Sequence, residues 1–503
     1  MLADRKALYA LLGAWIAAGL FGHDPWKPDE AYTFGLVYHM LETGDWLVPT
    51  LAGEPFVEKP PLFFWTAAAF AKILGGVLPL HDAARLASAF YVSLTLLFTG
   101  LTARRLYGAA LPAAVVLAGC LGYLQHAHQL ITDNALMAGV AMGLYGLSAS
   151  KAVWLGTGAG IAFLSKGLLG PGMLAVTAVA LAAFPAWRQT WRTWPPALLA
   201  FAPWAIVWPW LLHRHSAALF HEWFWVNNFG RFTGEAGLGG VLDHLHYAKA
   251  LVWFALPAWP LALWTLWQRQ ASAKALQLPA VAFFVMFVVL SAASSARTLY
   301  GLPLLVPLAV LAAAAVPAPF LRRALDWSGV GAAALLGLAL WGGWIAFMAG
   351  WRPSMLEAQS PGFVPRWQPL ALIVAAALTA LWLYVVWREK SMSMRWLAGV
   401  TLAWGLAMTL WLPWLDHAKS YRGVIADMKT RVGEGCVASR GLTEPQRGMF
   451  HYFAGIRVPA GECRFLVVHT GSAQMPDVEA EWKPLWRGTR PGDNKEYFWL
   501  FER

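Results

Sequence analysis

Residues 25–65, PWKPDEAYTFGLVYHMLETGDWLVPTLAGEPFVEKPPLFFW, set Asp29, Glu30, Glu42, Asp45, Glu54, Glu58 and Lys59 between two hydrophobic anchors. Before them runs the apolar stretch 7–22, introduced by Arg5 and Lys6, and after them the apolar stretch 61–77. A polar loop held on both sides by apolar, aromatic-rich chain suits the roof of a cavity in a membrane. Within it, residues 31–41 have helical spacing (Tyr32, Leu36, Tyr38, Met40), with Asp29 and Glu30 at the N-terminus, where the helix dipole favours carboxylates. On spacing alone these acids are equally well read as caps on a solvated loop.

The rest of the chain supplies the membrane. Of its 503 residues 58% are hydrophobic and 13% charged, with mean hydropathy +0.50, whereas a soluble domain needs roughly a quarter of its residues charged. The 31 tryptophans fit the same reading, because an indole prefers the interface, where its ring is buried and its N–H stays wet. The net charge of +11 does not imply nucleic acid as a partner: the basic residues recur between apolar runs instead of clustering in a stripe. Stretch 7–22 reads as an uncleaved first transmembrane helix, since His23-Asp24-Pro25-Trp26 follows it in place of a small-x-small cleavage site.

Spanning roughly 30 Å of hydrocarbon takes about 17 to 25 apolar residues. Thirteen stretches are candidates: 6–22, 84–103, 108–125, 134–150, 152–166, 167–186, 195–213, 247–267, 276–293, 299–317, 327–349, 367–387 and 396–414. Threaded from a cytoplasmic N-terminus they leave Arg104-Arg105, Lys151, Arg188, Arg192, Arg269, Lys274, Arg322-Arg323, Arg388, Lys390 and Arg395 inside, as the positive-inside rule requires. Asp4, Asp326 and Glu389 are then the cytoplasmic acids, and all 13 histidines lie at or beyond the outer face. Stretch 61–77 breaks the alternation and is read as an interfacial helix beneath the first outer loop, anchored by Phe63, Phe64 and Trp65 and interrupted by Lys72. An ordinary span, with another misplaced, is the alternative.

The expected fold is therefore a polytopic α-helical membrane protein of about 13 spans over residues 1–414, with a first outer loop at 23–83. Beyond Leu415 the short segments CVASR, GIRVPA, RFLVVHT and EYFWLFER alternate with polar turns, which predicts a small α/β domain over 415–503 outside the membrane. Cys436 and Cys463 lie in it and either form a disulfide or stay as buried thiols. A Gly-rich phosphate loop, CxxC, HExxH and GxSxG are all absent from the sequence.

PDEAY followed by HMLETGDWLVPTLAGEPFVEKPPLFFW resembles the first loop of the bacterial GT-C glycosyltransferases of the protein-mannosyltransferase-like class, which include the aminoarabinose transferases that modify lipid A. Further segments keep that family's order: Arg85-Leu86-Ala87-Ser88-Ala89, Thr132-Asp133-Asn134, Phe224-Trp225 running to Arg231-Phe232, and SSARTLYGLPLLVP from Ser294 to Pro307. The resemblance implies a GT-C fold in the bacterial inner membrane, with active site and C-terminal domain periplasmic. It also implies transfer, with inversion, of a sugar from a polyprenyl phosphate carrier to an extracytoplasmic glycolipid, glycan or protein.

By the same resemblance Asp29, Glu58 and Asp133 are the catalytic candidates. Lys59, Arg85, Arg231, Arg297 and Tyr300 are the candidates for holding the donor phosphate. Phosphate leaves readily and needs cationic donors more than a general acid, so Asp29 is expected to act as base toward a hydroxyl acceptor, or to orient an acceptor that is already ionised. Lys59 has a competing reading as a lysine snorkelling to lipid headgroups, and Asp133 as a helix cap. Where aminoarabinose transferases carry Glu-His, this chain has Asn227-Asn228, which removes a good metal ligand. Glu58 could still hold a divalent metal with His126 or His128, or with His221, His244 or His246, but outer-loop histidines are more often interfacial hydrogen-bonders and no metal is assigned. A transporter or flippase of a lipid-linked sugar is the rival from another class, and an oligosaccharide ligase the rival within transferases. The crowding of acids on one face favours an enzyme working from one side.

Overall fold

In hydrocarbon a backbone must satisfy its own N–H and C=O groups, so apolar stretches of this kind become helices. The structure, a computed structural model, describes residues 5–230, 233–234, 243–268, 271–294, 296–315, 319–458 and 463–503. Within them, every one of the apolar stretches falls on helix. Five helices are long and apolar enough to cross a membrane: Leu80–Tyr107, Pro185–His215, Ala273–Ala292, Arg322–Met348 and Pro369–Arg388. Two bent pairs, His246–Phe254 with Ala258–Gln268 at 98° and Met392–Ala407 with Leu412–Lys419 at 59°, raise this to seven.

The expected count of about thirteen full-length spans is thus not reached by length and composition among the described residues. The reasons are local. Stretch 108–125 is divided into Leu111–Ala118 and Leu121–Ala127 at Gly119-Cys120, and stretch 247–267 bends next to Pro257, which cannot continue a helix. Two central helices, Asp133–Ala149 and Ala152–Lys166, have only 17 and 15 residues. They pack on each other and on Leu80–Tyr107.

Stretch 61–77 forms the helix Leu62–Leu74, whose 13 residues cover only about 20 Å and cannot span. Its aromatics differ from expectation. Phe63 and Phe64 are fully buried in protein, Phe63 stacking on Tyr91, and Trp65 donates its indole N–H to the carbonyl of Trp46 at 2.6 Å. Packing against Leu80–Tyr107 turns this face inward and leaves Ile73 and Val77 exposed.

The first outer loop is organised around a buried guanidinium. Arg85, fully buried on the helix Leu80–Tyr107, donates to Glu30 at 2.9 Å, to Asp82 at 2.7 Å, to the carbonyls of His23 and Asp24 at 2.9 and 3.0 Å, and to His23 Nδ1 at 3.0 Å. Burial, and then the charge of Arg85, push the His23 imidazole down to about 4, so its ring is neutral and can accept. Glu30 also accepts the N–H groups of Leu130 at 3.0 Å and Trp26 at 3.3 Å. Burial opposes ionisation of Glu30, but Arg85 outweighs it and holds the carboxyl below its usual range. The assignment of Arg85 to donor phosphate is therefore corrected, because its donors are all spent inside the protein. Glu30 likewise belongs to this internal network.

The first loop also carries a small hairpin of β1 (Thr50–Leu51) and β2 (Glu54–Pro55). The C-terminal segment has strands β3 (Val437–Arg440), β4 (Phe465–Thr470), β5 (Lys483–Gly488) and β6 (Tyr497–Glu502), in the order β3-β4-β6-β5, with β3 and β4 parallel and the other pairs antiparallel. The helix Glu444–Ala454 makes the crossover between β3 and β4, and Cys436 and Cys463 are joined by a disulfide. Of the predicted strands, the one at 455–460 does not form. Gly455, at φ +69°, caps the helix Glu444–Ala454 in its place, while residues 459 and 460 lie outside the described set.

This unit grips the first loop. Asp24 pairs with Arg422 and accepts from Ser420 at 2.6 Å, Lys27 bridges Asp493 and Glu496 at 3.0 Å each, and Glu54, on β2, pairs with Arg447. At the crossing of Asp29–Thr43 with Glu444–Ala454, a Cβ on Gly35 would lie 2.6 Å from the Gly448 Cα, so a side chain there would force the helices apart.

Removing one partner of a buried pair strands the other charge, at a cost of about 3–5 kcal/mol. Arg85→Met is therefore expected to lower the thermal unfolding temperature in detergent sharply, while Arg297→Met, at a half-exposed position, leaves it near wild type. Equal stability of the two variants would contradict the internal role of Arg85.

Candidate active site

Asp29 is the first residue of the helix Asp29–Thr43, where the unpaired N–H groups favour a carboxylate. One turn on, Tyr32 donates its hydroxyl to Asp29 Oδ1 at 3.2 Å. Across the opening, Arg297 precedes the short helical turn Thr298–Gly301 and holds both Asp29 oxygens, Nη2 to Oδ2 at 2.7 Å and Nη1 to Oδ1 at 3.4 Å. Asp29 is buried, whereas the Arg297 side chain is 45% exposed. The pair thus sits at a boundary between protein and an accessible face.

Glu58 and Lys59 lie in the turn between β2 and the helix Leu62–Leu74. Lys59 is buried, donates to the Tyr32 hydroxyl and stands 3.8 Å from Glu58. A lysine reaching for lipid headgroups would point outward; this one points into the site. Asp133, first residue of the helix Asp133–Ala149, is bridged at 2.7 Å by Lys166, the last residue of the helix Ala152–Lys166. The Lys166 ammonium lies 4.1 Å from the centre of the Tyr300 ring, and the Arg297 guanidinium 5.6 Å from it. Tyr300 therefore joins the Asp29–Arg297 and Asp133–Lys166 pairs into one patch.

Three cations and three carboxylates meet here. Burial alone would raise the pKa of Asp29, but Lys59 and Arg297 outweigh it, and the carboxyl stays below its usual range. Burial opposes the charge on Lys59, yet Tyr32, Glu58, Asp29 and Asp133 together hold it protonated above its usual range. Burial, with Asp29 and Glu58 adding to it, keeps the Tyr32 phenol protonated. The site is thus a fixed set of N–H and O–H donors beside one ionised, reachable carboxylate, an arrangement suited to binding an anion and steering a nucleophile.

Of the residues expected from sequence, Asp29, Glu58, Lys59, Asp133, Arg297 and Tyr300 come together. Arg85 and Glu30 are in the neighbouring internal network, and Arg231 lies outside the described residues. Asn227 donates to the Glu222 carbonyl at 3.2 Å and is half-buried. Asn228 works as a brace, its Oδ1 accepting the Leu168 N–H at 2.9 Å and its amide donating to the Trp223 carbonyl at 2.8 Å. This bridge fixes the turn after Lys166, where Gly167 has φ +68° and an added Cβ would collide with Asn228 Oδ1.

Among the described residues, no group of three or more His, Cys, Asp or Glu that could hold a metal includes Glu58, His126 or His128. His126 Nδ1 donates to the Gly122 carbonyl at 2.8 Å, and the two ring nitrogens of His128 face the carbonyls of Trp15 at 2.7 Å and Leu124 at 3.2 Å. Two site residues escaped the sequence reading. Lys166, a lone lysine between apolar runs, carried a signal, because an ionisable residue there marks function by default; Tyr32 carried none beyond its place one turn after Asp29.

Residues 58–213, which carry Glu58, Lys59, Asp133 and Lys166, match the dolichyl-phosphate-mannose-protein mannosyltransferase family. An undecaprenyl phosphate-alpha-4-amino-4-deoxy-L-arabinose arabinosyl transferase of Pseudomonas savastanoi is 27% identical over 66% of this chain and 65% of its own length. Its Pseudomonas aeruginosa counterpart is 29% identical over 61% of this chain and 59% of its own length. The matched regions thus span less than two thirds of these relatives. The fold is that of the crystal structures of ArnT from Cupriavidus metallidurans, bound to undecaprenyl phosphate (TM-score 0.68) and in the apo state (TM-score 0.70), each 17% identical over 99% of this chain and 97% of that one. This multi-pass helical membrane protein thus shares the architecture of those structures from end to end, and over residues 58–213 its sequence is similar to the mannosyltransferase family.

Proposed function

We propose that the chain is an inverting glycosyltransferase of the bacterial inner membrane that moves a sugar from a polyprenyl phosphate carrier to an extracytoplasmic acceptor, a glycolipid, glycan or protein. On this reading the site and residues 415–503 face the periplasm and the N-terminus faces the cytoplasm. The observation that carries it is the meeting of Lys59, Lys166 and Arg297 around the ionised Asp29, with Arg297 exposed at the mouth. The matched relatives are named for transfer from an undecaprenyl phosphate-linked sugar, and one structural neighbour holds undecaprenyl phosphate.

The chemistry follows from the geometry. The bond from the sugar's anomeric carbon to the donor phosphate oxygen breaks, a bond to the acceptor oxygen forms, and polyprenyl phosphate departs with its charge neutralised by Lys59, Lys166 and Arg297. Without substrate, Arg297 and Asp29 satisfy one another. An arriving phosphate competes for Arg297, and Asp29, released from it, becomes a stronger base toward the acceptor hydroxyl. Asp133 positions Lys166, Glu58 stands beside Lys59, and Tyr300 presents its ring at the rim where the carrier's first isoprene units enter.

Three outcomes are expected of purified protein given polyprenyl phosphate sugar and an envelope acceptor identified by intact-mass comparison of glycolipids and glycoproteins with and without the gene. Asp29→Asn keeps binding polyprenyl phosphate but loses transfer by about 10²–10⁴-fold, the usual worth of a positioned base; unchanged transfer ends the assignment. Lys166→Met lowers kcat by about 10²–10³-fold through loss of one anion-stabilising donor and, because it strands the buried Asp133, also lowers the unfolding temperature. Arg297→Gln shifts the acid limb of the pH–rate profile of kcat/KM to higher pH. The sign follows from Asp29 being active when ionised: Arg297 depresses its pKa, so removing the cation raises it. An unmoved limb would show that Asp29 is not the titrating base.

A further inference from the structure

Away from the catalytic patch, the far end of the helix Asp29–Thr43 meets the helix Glu444–Ala454 in a second cluster. His39 and Glu42 lie three residues apart on one face of the first helix, and His451 faces them from the second. One ligand atom from each residue falls within 4.8 Å of the other two, and the rings of His39 and His451 are 5.7 Å apart, centre to centre. His451 is completely buried, and its Nδ1 has no hydrogen-bond partner among the described residues; the buried Nδ1 of His39 has none either. His451 Nε2 stands 2.9 Å from Glu42 Oε2, close enough to share a cation with it.

Buried imidazole nitrogens are ordinarily paired, and two such rings packed beside a carboxylate leave that rule unmet. We propose that His39, Glu42 and His451 form a transition-metal site, best suited to zinc, that ties the first outer loop to the C-terminal α/β unit. Two imidazoles and one carboxylate are a standard zinc donor set, with water as the fourth ligand. Bonds of about 2.0–2.1 Å require ligand atoms roughly 3.4 Å apart, so an ion would draw together atoms that now lie within 4.8 Å of one another. Glu42, with a side chain 34% exposed, supplies the path from solvent; its other oxygen is held by Arg457 at 2.7 Å, which orients the carboxylate. This cluster shares no residue with the catalytic patch, and the inference does not rest on the proposed transfer reaction.

The test uses untagged full-length protein in detergent, stripped with EDTA, reloaded with Zn²⁺ and desalted. About one zinc per chain is expected by mass spectrometry, falling at least fivefold in His39→Gln and His451→Gln, while Mg²⁺ is not retained. Zinc should raise the unfolding temperature of the wild type and of Asp29→Asn, but not of the histidine variants. Should those variants fail to fold, Glu42→Gln, at the partly exposed ligand, takes their place. Co²⁺ soaked into stripped protein should give the visible absorption of a tetrahedral site, lost in the same variants. Zinc content equal in wild type and variants, or no zinc retained by the wild type, overturns the proposal.

Discussion

The geometry of the candidate site around Asp29 depends on a residue that never touches it. Arg85 is buried at a depth where an unpaired guanidinium would be prohibitively costly, and the protein resolves this by folding residues 23–30 around it. Glu30 is the partner that matters most, because it is bonded to Arg85 on one side and to the backbone of Leu130 on the other. Asp29 precedes it directly and Asp133 lies three residues after Leu130, so one ion pair sets the position of both carboxylates. A loop that sequence alone presents as a solvated acidic stretch is in fact pinned at its centre.

The two neighbouring networks have the same ingredients and opposite outcomes. Around Arg85 every donor finds an internal acceptor and the cluster is closed. Around Asp29 the three cations and three carboxylates match in number but are held loosely: Lys59 bonds a phenol and stands 3.8 Å from Glu58, Lys166 leans on an aromatic face as well as on Asp133, and Arg297 is half exposed. Cations held by weak or replaceable partners can be claimed by a stronger anion with little reorganisation. That difference in pairing, more than burial or residue type, separates the patch that binds from the one that holds.

Hydropathy and charge read the membrane architecture and the order of its helices correctly, because the apolar runs must be helical in lipid whatever their tertiary contacts. The count of about thirteen full-length spans is not reached by length and composition among the described residues, since breaks at Gly119-Cys120 and Pro257 and the shortness of Asp133–Ala149 depend on packing partners remote in sequence. Phe63 and Phe64 look like lipid anchors for the same reason; nothing local says which face of Leu62–Leu74 meets Leu80–Tyr107. In the site, Asp29, Glu58 and Lys59 are legible because they share one loop. Arg85 is misread because a basic residue near a membrane surface looks alike whether it faces phosphate or Glu30, and only the fold brings His23, Asp24 and Glu30 around it. Strand β5, an exposed edge with weak alternation, leaves too faint a pattern to be found, whereas the helix Glu444–Ala454 carries a signal that the sequence reading missed, the Thr443–Gln446 capping box before it and Gly455 after it.

The C-terminal unit makes the asymmetry of the molecule intelligible. The helix Asp29–Thr43 carries Asp29 at its N-terminal end and packs against Glu444–Ala454 farther along, at the Gly35–Gly448 crossing and again at His39, Glu42 and His451. The loop before it is clamped by Arg422, Asp493 and Glu496, and the hairpin after it by Arg447. Individually, ion pairs at a surface contribute little. Placed on both sides of one helix and combined with a side-chain-free crossing, they leave it few ways to shift without breaking several contacts together. In the proposed reaction an acceptor hydroxyl arrives within hydrogen-bond reach of Asp29 while the donor phosphate is held by residues on other helices, and a displacement of about 1 Å is enough to cost 10²-fold in rate. A carboxylate on a tethered helix end, facing a cation on an exposed turn, keeps one side of the reaction rigid and lets the other open to admit substrate.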